Sequence, residues 1–233
     1  VFSGTLALGG SFEKNGGHFS LSDSALRLLD NLTWTSDSLL ELPELDLDNY
    51  SMTLGSDSSD LKVNNDLIMD HDNEKLISGN ADLEFSGMLS ISEGEISSTG
   101  GSISMSKSFN LSGGTLSISS GTFSLGGVFN KNGGNLFLND TTLSLLSDLQ
   151  WSSDTLLEIK ELQLNDKTLN LVDQFSDLKI ISPLILDHSD EKLISGPADL
   201  EFSGLVIISA GELSSNGGVV IFDQGLNQSG GKV

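Results

Sequence analysis

The chain has 233 residues, room for one or two domains, with 37% hydrophobic but only 6% aromatic residues. Its 33 acidic side chains outnumber 11 basic ones, and a net charge of −22 repels phosphate backbones and anionic lipid, which excludes nucleic-acid binding as a function class. With no cysteine it makes no disulfide or thiolate metal site, and no apolar run reaches the length of a membrane-spanning helix, so no membrane insertion is expected.

From the N-terminus onward, short runs alternate apolar and polar residues. They are TLALGG (5–10), HFSLS (18–22), DLKVNN (60–65), DLEFSG (82–87), MLSISEGEISS (88–98), GSISMS (101–106) and TLSISSGTFSLGG (115–127). An apolar residue at every second position is the pattern of a strand with one buried face. The runs are broken by GG, NGG, SGG, SGN and DN, where Gly or Asn accepts a positive φ. One stretch, DSALRLLDNL (23–32), has room for two helical turns, but its counterpart DTTLSLLSDL (140–149) is rich in Ser and Thr. Both are read as strands.

That counterpart exists because the chain is written twice. A shift of 117 residues aligns it on itself without a gap. LTWTSDSLLEL (32–42) falls on LQWSSDTLLEI (149–159), and HDNEKLISGNADLEFSG (71–87) on HSDEKLISGPADLEFSG (188–204). About half of the aligned positions are identical, and most exchanges are among Leu, Ile, Val and Phe or among Ser, Thr and Asn. Within a period, recurrent turns mark segments of roughly 17 to 24 residues, the length of one solenoid coil, so a period holds five or six coils. The expected fold is all-β: a β-solenoid built from two tandem 117-residue repeats, residues 1–117 and 118–233, stacked in one continuous body. The rival is a string of two sandwich domains, whose size fits an immunoglobulin-like module but whose linker is missing. The chain opens at Val1 and stops one residue short of its second period, so it is expected to be a window on a longer array or a unit that stacks end to end.

LSGGTLSISSGTFSLGG (111–127) resembles the Gly/Ser/Thr-rich coils of bacterial surface proteins, the filamentous-haemagglutinin-like adhesins and autotransporter passengers. The resemblance covers the Gly-rich third of each period. It implies a right-handed β-helix, an extracellular or cell-surface location and adhesive or structural work, and it transfers no catalytic residue.

Candidate sites are few. The turns DHDNEK (70–75) and DHSDEK (187–192) crowd oxygen ligands, making Asp70, Asp72, Glu74, Asp187, Asp190 and Glu191 candidates for Ca²⁺. The competing reading is a solvated turn whose Asp and Asn side chains cap backbone groups. His71 and His188 each follow an Asp, a pairing also found in catalytic triads, but no serine among dozens stands out as its nucleophile. His18 aligns with Asn135 and is not repeated. Trp34 and Trp151, at matching positions, either stack on sugar rings or fill a wide coil. The one arginine, Arg27, aligns with Ser144, so the carboxylate-plus-base cleft of a polysaccharide-acting β-helix enzyme is not duplicated.

The expectation is a non-enzymatic extracellular structural or adhesive protein, forming a rod or a self-stacking fibre. Its partner is itself, head-to-tail through open terminal coils or further repeats of the same chain. The alternative is a ligand- or carbohydrate-binding adhesin module, with a host surface or polysaccharide as partner. No cofactor is expected beyond the calcium considered above.

Overall fold

The computed structural model describes residues 4–17, 19–138 and 140–233, and among them the regular elements are all strands. Every strand pair is parallel, joining residues about one coil apart, which defines a β-solenoid of about 11 turns. Most strands are three or four residues long. Leu83–Phe85 is typical: Leu83 and Phe85 point inward and Glu84 outward, so each short strand places two side chains in the core. A corner and a new strand follow, and three such sides close one coil.

Stacking the coils turns the alternation into columns. On side two, Leu40, Leu61, Leu83, Ile103, Phe123, Leu143 and Leu162 lie one above the other, all buried. On side one, Leu32, Met52, Leu76, Ile96, Leu116 and Leu136 do the same, and all but the last are fully buried. On side three, Leu67, Leu89, Phe109, Phe129, Trp151 and Leu171 form the column. The columns merge into a single apolar core along the axis. Four long strands, Gly4–Lys14, Ser24–Ser36, Gly121–Lys131 and Thr141–Ser153, run round a corner and serve two sides each, with a register shift at the bend. This is why side two and side three share one 13-stranded sheet.

The corners explain part of the acidity. Asp60 accepts the amide of Asp82 one coil on at 2.9 Å, and Asp82 accepts that of Ser102 at 2.7 Å. In the second repeat Asp177 accepts from Asp199 at 2.8 Å and Asp199 from Val219 at 2.7 Å. These carboxylates satisfy backbone donors where the chain leaves the ladder. Buried serines do the same at another corner, the amides of Ser36 and Ser153 bonding to Ser59 Oγ and Ser176 Oγ at 2.9 Å.

Every strand from Gly4–Lys14 to Phe109–Leu111 has its counterpart 117 residues on, yet the counterparts do not occupy the same side. Leu40–Leu42 lies on side two, whereas its equivalent Leu157–Ile159 follows Asn135–Leu138 on side one. Ser51–Leu54 is on side one and its equivalent Thr168–Leu171 on side three. From 10–14 on side one to its equivalent 127–131 on side three the chain passes 17 sides, five turns of three and two sides over. Repeat two is therefore turned against repeat one by one side of the coil.

Candidate functional site

The acid-rich turns gather ionisable side chains into two compact groups. In the first repeat the turn is closed by the Glu74 amide bonding the His71 carbonyl at 3.1 Å. Glu74 is only 4% exposed, and its carboxylate folds back into the turn. Its Oε2 accepts the amides of Asp70 at 2.8 Å and His71 at 3.3 Å, and Oε1 accepts that of Asn49, one coil below, at 3.5 Å. A buried carboxylate is tolerated here because it caps backbone donors that would otherwise lose water without a partner. His71 Nδ1 lies 2.8 Å from Asp70 Oδ1 and 3.6 Å from Glu74 Oε1.

The second repeat rebuilds the turn. Glu191, 7% exposed, accepts the amides of Asp187 at 3.0 Å and His188 at 3.2 Å, and His188 Nδ1 sits 2.8 Å from Asp187 Oδ1. The difference comes from the coil below. Asp166 stands where Asn49 stood and lies 3.6 Å from His188 Nδ1. Asp166 and then Asp187 raise the His188 pKa above 6.5 by favouring the imidazolium. A shallow groove of about 430 Å³ runs beside this group, lined by Asp166, Lys167, Asp190 and Lys192 among others.

One exchange in sequence order explains the difference. Asp48-Asn49 and Asn165-Asp166 are the same two-residue turn with all four φ values positive, between 47° and 69°, a region both side chains tolerate. Swapping the two residues moves the carboxylate by one place. In repeat one Asp48 faces Arg27, with Nη2 2.6 Å away, and the pair raises the arginine's pKa. In repeat two Arg27 has become Ser144, and the Asn165 amide nitrogen bonds that hydroxyl at 2.9 Å. The carboxylate freed from an arginine partner faces a histidine instead.

Among the described residues, two mixed clusters could hold a metal ion: Asp70, His71 and Glu74, and Asp166, His188 and Glu191. Each brings an imidazole and two carboxylates, a donor set that suits a transition ion better than calcium, which takes six to eight oxygens. In both, the carboxylate of the buried Glu is already engaged by two or more amides. Of the residues singled out in the sequence, Asp70, Glu74 and Glu191 lie within these clusters. Asp187 instead pairs with His188, and Asp190 meets Ser189 at 3.4 Å. Asp72 is an exposed turn residue, and His18 lies outside the described residues. The sequence singled out neither histidine as a ligand and missed Asp166, which arrives from the preceding coil. The available signal was the DN-to-ND exchange between copies.

The tryptophans are core residues. Trp34 and Trp151 are each 1% exposed, so neither offers a face to a sugar, and the carbohydrate-stacking expectation is corrected to a packing role. Trp34 stacks on Phe12 with centroids 4.0 Å apart, and Trp151 packs on Phe129 at 4.1 Å. The indole N–H of both lacks an acceptor. Large outward-facing apolar residues do recur between the copies, as Leu29 and Leu146, Leu39 and Leu156, and Ile68 and Ile185.

Comparison with known protein families, curated proteins and solved structures returns no match.

Proposed function

We propose that this chain is an extracellular structural repeat protein that works as a rod and extends into a fibre by stacking coil on coil. The observation that carries the reading is the continuity of the stack across the boundary between the copies. The Ser119 amide bonds the Ser98 carbonyl at 3.0 Å, and Gly121–Lys131 lies in register on the strands below and above it, so one repeat receives the next through ordinary ladder bonds. The corner carboxylates tie coil to coil, and the net charge of −22 discourages side-by-side clumping. This work needs no catalytic residue.

The test is negative-stain electron microscopy of the purified chain at physiological salt, with and without calcium. Unbranched filaments a few nanometres wide are expected. Monodisperse short rods under all conditions would overturn self-assembly. A second reading, an adhesin module that binds a ligand or carbohydrate along its side, is favoured by the repeated outward-facing apolar pairs and predicts retention on immobilised glycans or host matrix.

A further inference from the structure

The two ends of the stack differ from its middle in one respect. Val220 and Phe222 are half-buried and Leu226 is 38% exposed, whereas their equivalents Ile103, Met105 and Phe109 are fully buried. At the opposite end Leu6, Leu8 and Phe12 are half-buried, whereas Phe123, Leu125 and Phe129 are buried. In the middle of the chain these two sets cover each other. Gly121–Lys131 rounds a corner and seals two strands at once, pairing Ile103 with Phe123, Met105 with Leu125 and Phe109 with Phe129. Residues 220–228 and residues 4–14 are thus the same two sets, and their mating is already drawn at the internal junction.

We propose that a second copy of this chain docks end to end in the register of that junction, its Gly4–Lys14 laid across Val220–Phe222 and Leu226–Gln228. The pairs are fixed by the 117-residue shift: Val220 with Leu6, Ile221 with Ala7, Phe222 with Leu8, Leu226 with Phe12, Asn227 with Glu13 and Gln228 with Lys14. The chemistry suits each position. Three apolar pairs continue the core columns, and the outward-facing Ile221 covers Ala7. The internal junction has Asn130 donating its side-chain amide to Asn110 at 3.2 Å, and here Asn227 finds the Glu13 carboxylate. The contact is heterologous and leaves a fresh edge after every addition, so it propagates as a fibre and does not close.

The register also sets the symmetry. Two repeats pass 34 sides, eleven turns of three and one side over. Each added copy is then turned by one side of the coil, and the fourth sits in the orientation of the first. With coils about 4.8 Å apart the rise is about 54 Å per copy. This rests on the fibre reading above and deepens it with a partner surface, a register and a screw.

Because the chain has no cysteine, engineered thiols report the contact cleanly. Paired residues on neighbouring strands fall within disulfide reach, and all four substitution sites are exposed. The double variants A7C/I221C and E13C/N227C are oxidised under filament-forming conditions and run on a denaturing gel, beside the crossed pairs A7C/N227C and E13C/I221C. A ladder of covalent multimers is expected from the in-register variants, at least tenfold stronger than from the crossed ones, and helical averaging of filaments should return a rise near 54 Å. Filaments of the unmodified chain with no ladder, or a ladder of equal strength from the crossed pairs, would overturn the register and leave the fibre reading standing. Neither filaments nor ladder would overturn both.

Discussion

The two copies of the acidic turn differ by little and teach much. Both keep the buried Glu, the Asp-His pair and the positive-φ dipeptide below, yet the first puts its extra carboxylate on Arg27 and the second on His188. The two turns also lie on different sides of the coil. Conserving hydrogen bonds while exchanging charge partners shows that backbone capping is the fixed task of these residues. Ion pairing is adjusted locally, as expected when exposed pairs contribute little. The same holds for whole repeats: a segment that closes side one in one copy closes side three in the other, so the sides are interchangeable frames.

The sharpest way to break that equivalence is through the tryptophans. Both tryptophans have a coil on each side, Trp151 between Phe129 and Leu171 and Trp34 between Phe12 and Leu54, but Phe12 and Phe19 belong to the half-buried first coil. Trp151→Ala should cost about 3–5 kcal/mol, and Trp34→Ala measurably less, because its neighbours relax into the gap; denaturant midpoints compare them. Equal losses would mean that the first coil is as rigid as the middle. A smaller matched effect is expected at Gly94 and Gly211, which lie over the two turns with φ of 75° and 72°. A Cβ there would sit 2.4 Å from the Glu74 carbonyl oxygen and 2.6 Å from that of Glu191. Gly94→Ala and Gly211→Ala should each destabilise by about 1–3 kcal/mol. If the two differ widely by thermal melting, the sides are not interchangeable.

The smallest effect lies in pH. His188 has its folded-state pKa raised, so its protonated form adds stability that is fully present below the unfolded value near 6.5 and is lost as pH rises through the folded value. Asp166→Asn, which copies repeat one, should bring the His188 midpoint down in an NMR titration and narrow that window. An unchanged midpoint would assign the shift to Asp187 and Glu191. His188 is solvent-exposed, so the matching change in melting temperature should be small.

Much of this was legible in the chain. Alternation in runs such as DLEFSG gives the inward Leu83 and Phe85 directly, and the gapless shift gives the repeat. What stayed hidden was relational. GG and SGN turns look alike at every corner, so nothing local marks that a period ends two sides into a turn. The proximity of Asp166 to His188 spans a whole coil, and only the coil length, averaging about 21 residues, brings them together. The burial of Trp34 and Trp151 was one of two open readings, because an aromatic at a recurring position fits a core or a binding face until its neighbours are known.

The offset of one side per repeat has a mechanical consequence. A rod whose identical segments were aligned would have one seam of loops, one flank of long corner strands and therefore one soft direction of bending. Here each segment recurs at successive thirds of a turn, so stiff and compliant corners wind round the axis like the stripes of a rope. In the proposed fibre, three successive repeats would average these differences, so that it would bend alike in every plane.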